Sequence, residues 1–190
     1  MLCGIEHIDI ERKSRLGLLG ELLAEEWLPA AGFKDVENLN RKVRNCPFGD
    51  ILATRNGTRF FIGVKSRNEF QANGRINPTY NAVLIRADKK AQLEGADKTE
   101  AQITEILWRE VQALAERWQA LPAWTAVAMR PLRGTFCAYF GLATALGNRR
   151  SIPMKIADRR RYEVLAEHRS DHRITPDLLN RTLSPSLSLG

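Results

Sequence analysis

The chain has 190 residues, of which 44% are hydrophobic and 27% are charged, a composition that excludes an intrinsically disordered chain and fits one domain with a sizeable core. Its formal net charge of +7 favours a polyanionic partner, mainly nucleic acid or an anionic membrane surface.

Two classes of protein are disfavoured by the pattern of apolar residues and cysteines. No apolar run approaches the roughly 20 residues that a membrane helix needs. The segment 1–15 lacks the apolar core of a secretory signal. Cys3, Cys46 and Cys137 form no CxxC pair, which argues against a disulfide framework. We therefore expect a cytoplasmic protein with no membrane partner.

The first third of the chain predicts one helix and three strands. The helix is predicted over 14–31, and the strands are predicted over 34–39, 48–54 and 58–66. Gly17 and Gly20 predict close packing of the helix against a sheet, because a glycine otherwise weakens a helix. Asn56 and Gly57 favour a two-residue hairpin turn, which needs positive φ angles. The almost continuous apolar run over 60–64 predicts a strand buried on both faces.

The remaining chain predicts two helices and two strands that follow a long loop. The predicted elements are a partly ordered loop over 67–98, a helix over 99–120, strands over 124–129 and 135–141, a helix over 156–168 and a flexible tail over 182–190. This order predicts a single α/β domain over residues 1–181, built as a sandwich around a mixed β-sheet.

Three charged residues of the first third are candidates for a catalytic site. Glu21 lies in the predicted helix, Asp50 starts the second predicted strand, and Lys65 closes the apolar strand. Antiparallel pairing around the predicted turn brings residues near 50 and 65 to the same end of the hairpin, where a carboxylate and an ammonium can meet. Taken one at a time, each has an ordinary explanation as a solvated helix residue, a turn residue or a charge at a strand edge.

The order of these residues over 14–67 resembles the PD-(D/E)XK nuclease superfamily, especially its Holliday-junction-resolvase-like and restriction-endonuclease-like members. The resemblance implies a restriction-endonuclease-like three-layer core, with a mixed β-sheet flanked by helices. Glu21, Asp50 and Lys65 match the helix glutamate, the hairpin aspartate and the lysine of the family pattern, whereas Gly63 occupies the place of its second acidic residue. The segment around Gly63 is also similar to a group of uncharacterised bacterial proteins, which implies no activity.

The resemblance implies Mg²⁺ or Mn²⁺ as the cofactor of a nuclease that hydrolyses DNA phosphodiesters. In that mechanism Asp50 would bridge to the metal, and Glu21 would hold a metal-bound water or a second metal. The backbone carbonyl of Val64 is a further candidate ligand. The ammonium of Lys65 would stabilise developing charge beside the attacking water.

Gly63 leaves open whether catalysis survives. Glu69, just past the strand end, is an alternative donor for the missing acid, and we expect Gly63→Glu to restore metal affinity if Gly63 marks a lost ligand. One alternative to an endonuclease is a catalytically degenerate module that binds DNA or assembles with other proteins on the same fold. A second alternative is a basic protein-interaction domain. A homodimer is compatible with all three.

Basic residues of the long loop and of the second half of the chain predict contacts with nucleic-acid phosphates. The predicted contacts are Arg67, Arg75, Lys89, Lys90, Arg130, Arg133, Arg149, Arg150, Lys155, Arg159, Arg160 and Arg161. A solvated face is the alternative. For Phe70 and Tyr80 we favour anchoring of the loop, with base stacking as the alternative. His168 and His172 have the spacing of two zinc ligands on one helix face, but no third ligand is suitably spaced, so we favour surface histidines.

Overall fold

The computed structural model describes residues 3–42, 48–83 and 87–179, and for 3–13, 87–88 and 90 it describes the backbone alone. The predicted tail over 182–190 lies outside these ranges. The helices are α1 (Cys3–Trp27), α2 (Ala87–Gly95), α3 (Glu100–Arg117) and α4 (Ile156–Arg159). The strands are β1 (Lys34–Asn38), β2 (Ile51–Arg55), β3 (Thr58–Asn68), β4 (Thr79–Asn81), β5 (Leu121–Arg130), β6 (Thr135–Leu142), β7 (Ser151–Pro153) and β8 (Glu163–Ser170). Within the described ranges, no helix combines the length and the apolar character needed to cross a membrane.

Six strands form one mixed sheet in the order β1-β2-β3-β5-β6-β8, while β4 and β7 form a separate two-stranded sheet. Neighbouring strands of the large sheet are antiparallel except for β3 and β5, which are parallel. A parallel pair needs a crossover connection, and α2 and α3 lie in the segment that joins these two strands. The prediction of an α/β protein with a mixed sheet is confirmed.

Successive side chains of the central strands point to opposite sides of the large sheet, so both of its faces carry apolar residues. Helices cover both faces. On one face Leu23 of α1 packs in a core cluster with Ile62 of β3. On the other face Ile103 and Leu107 of α3 pack in a cluster with Trp124 of β5. The sheet therefore has a buried layer on each side.

The hairpin between β2 and β3 is built as predicted. Asn56 and Gly57 have φ angles of 51° and 74°, and the flanking residues Arg55 and Thr58 are paired. Both turn residues therefore adopt the left-handed conformation of a two-residue hairpin turn. The residues over 60–64 are all buried, and β3 lies between β2 and β5, which confirms a central strand covered on both faces.

Close packing of α1 on the sheet occurs at one of its two predicted glycines. A Cβ atom at Gly20 would lie 2.5 Å from the Oγ atom of Ser66 on β3, so the helix can approach the strand this closely only with glycine. The hydroxyl of Ser66 donates a hydrogen bond of 2.7 Å to the carbonyl of Leu16 and fastens α1 to β3. At Gly17 an added Cβ would meet nothing within 4 Å, so the packing prediction was wrong there.

Two predicted elements were wrong. The segment 67–98, predicted as a loop, contains β4 and most of it beyond 87 is α2. The predicted helix over 156–168 is helical only in the four residues of α4, and the chain then forms β8 at the edge of the large sheet. In β8, Ala166 is buried opposite Ala138 of β6, so strand pairing overrides the helix propensity of this segment.

Candidate functional site

Asp50 and Lys65 meet at the open end of the β2–β3 hairpin, opposite the turn. Asp50 directly precedes β2, and the backbone N–H of Val64 donates a hydrogen bond of 2.7 Å to its Oδ2 atom. The Nζ atom of Lys65 lies 3.7 Å from the same oxygen. The side chains of Lys65 and Asp50 are only 18% and 15% exposed. The ammonium and the carboxylate are therefore held together in a largely desolvated position.

Glu21 of α1 joins this pair through Asn40. The Nδ2 group of Asn40 donates to Glu21 Oε2 over 2.9 Å and to Asp50 Oδ1 over 3.4 Å. The backbone N–H of Asn40 donates to the side-chain oxygen of Asn38 over 2.9 Å, which fixes the turn after β1. Asn40 was missed in the sequence, because no local pattern marks a residue whose role depends on where two distant elements meet.

The electrostatics of this group are unbalanced, because two carboxylates face one ammonium. Burial raises the pKa of Glu21 above its ordinary value, and the negative charge of Asp50 raises it further. The hydrogen bond from Asn40 and the positive charge of Lys65 act in the opposite direction without cancelling the rise. The ionised form of Glu21 is therefore disfavoured unless additional positive charge comes close.

Gly63 faces a backbone carbonyl where the family pattern has an acidic side chain. A Cβ atom at Gly63 would lie 2.6 Å from the carbonyl oxygen of Phe48 and 3.3 Å from Cε of Lys65. Phe48 has a φ angle of 68°, and its ring packs edge-on against Trp108 at 5.7 Å between centroids. Any side chain at this position must displace this carbonyl, so Gly63→Glu can add a ligand only if the backbone of Phe48 moves.

The oxygen donors of the group fit a hydrated divalent cation. Mg²⁺ takes oxygen ligands and usually keeps several waters. Glu21 and Asp50 offer carboxylates, and the carbonyl of Val64 faces the same side of β3 as its N–H, which reaches Asp50. Among the residues that the structure describes, no three or more His, Cys, Asp or Glu side chains form a metal-holding group. The group therefore offers two carboxylates and one backbone carbonyl, which are the kinds of oxygen ligand that Mg²⁺ and Mn²⁺ take.

Glu69 is committed to another interaction and cannot supply the missing acid. It is 2% exposed, and its carboxylate accepts hydrogen bonds from Arg130 and Arg159. Its backbone N–H donates to the carbonyl of Met129 near the end of β5 over 2.7 Å. Burial alone would raise the pKa of Glu69, but the hydrogen bonds from the two guanidinium groups outweigh it and hold the pKa below its usual range. Glu69 is therefore not available as the alternative donor.

The same network removes Arg159 from the predicted phosphate contacts. Arg159 is 8% exposed, and its Nε group donates to the carbonyl of Met154 over 2.7 Å while Nη1 binds Glu69. A guanidinium buried in this way cannot reach a phosphate at the surface, so this prediction was wrong. Arg130 has a side chain that is 20% exposed and directs Nε and Nη2 at Glu69.

The other predicted phosphate contacts do not form one basic strip. The exposed ones are Arg67, Arg75, Arg133, Arg149, Lys155, Arg160 and Arg161. Arg133 lies three residues beyond the end of β5. Arg149 and Arg161 line a cleft at the opposite end of this strand, which includes its first residue, Leu121. Arg67 lies two residues beyond Lys65 on the same face of β3, and its Nη1 group donates to the carbonyl of Thr79 over 2.9 Å.

Two further predicted contacts are paired with carboxylates. Lys89 binds Glu110, and Arg150 binds Glu100. The side chain of Lys90 lies outside the described residues. Pairing on the surface leaves both cations accessible, because exposed ion pairs are weak.

The remaining candidates are the aromatic residues of the long loop and the two histidines. Tyr80 is fully buried, which suits an anchor of the loop and excludes stacking on bases, whereas Phe70 is 38% exposed. His168 lies on β8, with its Nδ1 atom 3.3 Å from the Sγ atom of Cys137. No metal-holding group that includes His168 or His172 exists in the described part of the chain.

Comparisons with known proteins give no information on function, which is therefore inferred from the geometry of the structure. No protein-family model, no curated protein and no solved structure matches the chain. The convergence of Glu21, Asp50 and Lys65 is therefore the main functional observation.

Proposed function

We propose that the chain is a PD-(D/E)XK-like nuclease that binds DNA and hydrolyses its phosphodiesters with a divalent metal ion. The observation that carries the proposal is the convergence of Glu21, Asp50 and Lys65. The Asn40 amide spans the two acids at 2.9 and 3.4 Å, and the ammonium lies 3.7 Å from Asp50. The ordinary explanations of these residues account for each alone and give no reason for them to meet.

The order of elements supports the nuclease-like part of the proposal. A helix precedes three antiparallel strands, and a crossover with helices leads to a strand parallel to the third. This order is compatible with the family that the sequence resembles. A fold does not determine a function, so the proposed activity rests on the charged group at the hairpin.

The proposed chemistry assigns a separate task to each side chain. When bound, Mg²⁺ would make hydroxide available near neutral pH and would neutralise charge on the phosphate. Asp50 and Glu21 would hold the cation through their carboxylates. Lys65 places positive charge beside Asp50, where it stabilises the charge that develops on the phosphate oxygens. Arg67, on the same face of β3, binds a neighbouring phosphate.

Cleavage of plasmid DNA in Mg²⁺ or Mn²⁺ tests the catalytic part. We expect cleavage by the chain and a loss of about 100-fold or more in rate for Asp50→Asn and for Lys65→Ala, since each removes a charge aimed at the transition state. The matched control is Lys34→Ala, which removes an exposed lysine of β1 and is expected to leave the rate unchanged. Cleavage that survives in Asp50→Asn would contradict the proposed site.

A noncatalytic DNA-binding module on the same fold is the second candidate. The observation that favours it is the carbonyl of Phe48, which stands 2.6 Å from the Cβ position of Gly63, where the family pattern has an acid. Both candidates require DNA binding that weakens steeply with salt, because neutralised phosphates release counterions. Salt-dependent binding without cleavage by the unmodified chain would select this second candidate, and absence of binding at low salt would end both.

A further inference from the structure

A separate cleft lies at the other end of the sheet. It has a volume of about 870 Å³ and lies beside the first residues of β3 and β5 and the last residues of β6. Phe60, which lines it, is five residues from Lys65 on β3, which corresponds to about 17 Å at the usual rise of a strand. An odd spacing also places these two side chains on opposite faces of the sheet. The cleft is therefore distinct from the candidate catalytic site.

One part of the inner surface of the cleft is apolar. Leu121 and Leu142 line it and are 47% and 38% exposed, which is unusual among the large hydrophobic residues of the sheet. Below them the rings of Phe60 and Phe140 pack edge to face, with centroids 5.5 Å apart. Ligand sites are concave and mostly apolar, with volumes of about 300–1,000 Å³. This surface suits a flat ring.

Two arginines of the cleft offer positive charge to a ligand. Arg149 and Arg161 line it, and neither forms an ion pair with a residue in the described ranges. Arg55 differs, because its guanidinium binds both oxygens of Glu163 at 2.5 and 2.7 Å and lies 4.2 Å above the ring of Phe33. Arg55 therefore belongs to the wall, whereas Arg149 and Arg161 suit a phosphate, which guanidinium groups bind through paired hydrogen bonds.

The lining contains two carboxylates, Glu163, which binds Arg55, and Asp158. Asp158 forms no ion pair within the part of the chain that the structure describes, although Arg161 lies three residues away in the same lining. Carboxylates accept hydrogen bonds from the hydroxyls of a ribose. The neighbouring Tyr162 is tied by its hydroxyl to the carbonyl of Pro153 over 2.9 Å, so that side of the cleft is fixed.

We propose that this cleft binds a nucleoside monophosphate as a free small molecule. The apolar surface around Leu121 and Leu142 takes the base, Arg149 and Arg161 take the phosphate, and Asp158 takes the sugar hydroxyls. A ligand with only one of these parts leaves the other groups of the cleft without a partner. The proposal goes beyond the proposed nuclease activity and does not depend on it.

Calorimetric titration with adenosine 5′-monophosphate, adenosine and inorganic phosphate tests the proposal. We expect the monophosphate to bind at least about tenfold more tightly than either fragment, because it alone engages both the apolar surface and the arginines. Asp50→Asn should leave this affinity unchanged, which separates the cleft from the candidate catalytic site. Failure of the nuclease experiments would therefore leave this result standing.

Variants of the cleft identify the groups that bind. The double variant Arg149→Ala/Arg161→Ala is expected to lose more than about tenfold in affinity, through the loss of charge-assisted hydrogen bonds. The matched control Arg160→Ala removes an exposed arginine from the same segment that does not line the cleft, and should change nothing. Asp158→Asn should weaken binding of the monophosphate but not of its 2′,3′-dideoxy analogue.

Three results would overturn the proposal. Equal affinities for inorganic phosphate and for the monophosphate would reveal a surface anion contact only. An equal loss in Arg160→Ala and in the double variant would reveal attraction by general positive charge. Absence of binding at millimolar monophosphate would show that the cleft takes no such ligand.

Discussion

Two charged clusters, one on strand β3 and one just beyond its last residue, differ in the balance of their charges. Near the end of the strand, the single carboxylate of Glu69 is bound by two arginines. In the middle of the strand, the single ammonium of Lys65 faces the carboxylates of Asp50 and Glu21, which share the amide of Asn40. The first cluster has an excess of positive charge, and the second has an excess of negative charge.

The two clusters also shift the pKa of a glutamate in opposite directions. Burial works against the charged form of both Glu69 and Glu21, but the arginines outweigh it at Glu69 and lower the pKa. At Glu21 the pKa is raised, because burial and the neighbouring Asp50 dominate. The acid of the first cluster is fully paired, whereas the two acids of the second repel each other, so that nearby positive charge would favour the ionised form of Glu21. This difference separates a structural network from a candidate site.

Breaking the paired cluster has the largest expected effect. Glu69→Gln keeps the size of the side chain but leaves Arg159, which is 8% exposed, without its counter-charge. We expect a loss of about 3–5 kcal/mol in the free energy of unfolding, measured in urea at pH 7. Because the pKa of Glu69 is lowered on folding, this stabilisation is fully present above its ordinary value of 4.5 and is lost as the pH falls through the lowered pKa.

A surface pair provides the control for this variant. Glu105 and Arg109 form an ion pair one helical turn apart on α3, with side chains that are 58% and 76% exposed. We expect Glu105→Gln to change the free energy of unfolding by less than about 0.5 kcal/mol. Equal losses in the two variants would show that the Glu69 network is not a special stabilising element.

Adding one carbon atom beside the unbalanced cluster has the next effect. Gly63→Ala places a Cβ atom 2.6 Å from the carbonyl oxygen of Phe48, so we expect a loss of about 1–3 kcal/mol in unfolding free energy. Gly17→Ala is the matched control, because a Cβ there meets nothing within 4 Å, and alanine should stabilise α1 by about 0.5–1 kcal/mol. Urea unfolding checks both, and a neutral Gly63→Ala would contradict the close approach.

Relieving the repulsion between the two acids has the smallest effect on stability. Glu21→Gln keeps an oxygen that accepts from Asn40 and removes the charge that faces Asp50. Because the pKa of Glu21 is raised on folding, stability falls as the pH rises from the ordinary value of 4.5 through the raised pKa. We therefore expect the variant to melt slightly higher at pH 7, by less than about 3 °C, with no advantage below pH 4.5.

An exposed glutamate provides the control for Glu21. Glu167 lies on β8 with its side chain in solvent, so Glu167→Gln should show neither the rise in melting temperature nor its dependence on pH. A lower melting temperature for Glu21→Gln at pH 7 would show that the ionised Glu21 stabilises the fold. It would contradict the inferred repulsion between Glu21 and Asp50.

Local sequence signals were sufficient for the hairpin and for the positions of two site residues. Asn56 and Gly57 require positive φ angles in a two-residue turn, and that turn fixes the register that brings Asp50 and Lys65 to one end. Asn40 could not be found in this way, because it acts between α1 and the start of β2. The carbonyl of Phe48 is a backbone group, so no residue type in the sequence could predict its position beside Gly63.

Long-range pairing explains the part of the fold that was missed. The segment after α4 contains Glu163, Leu165, Ala166 and Glu167, which favour a helix. In the structure this segment pairs with β6 as an edge strand with two irregularities in register. Its only buried residue within the strand is Ala166, so burial gives little periodic signal in the sequence. The segment therefore adopts a strand rather than a helix only because β6 is available to pair with it.

Binding of Mn²⁺ followed by electron paramagnetic resonance is the most direct test of the central claim, which is that the unbalanced cluster receives a divalent cation. We predict one bound Mn²⁺ for each chain, displaced by Mg²⁺, lost in Asp50→Asn and retained in Glu167→Gln. Absence of bound Mn²⁺, or an unchanged affinity in Asp50→Asn, would contradict the claim.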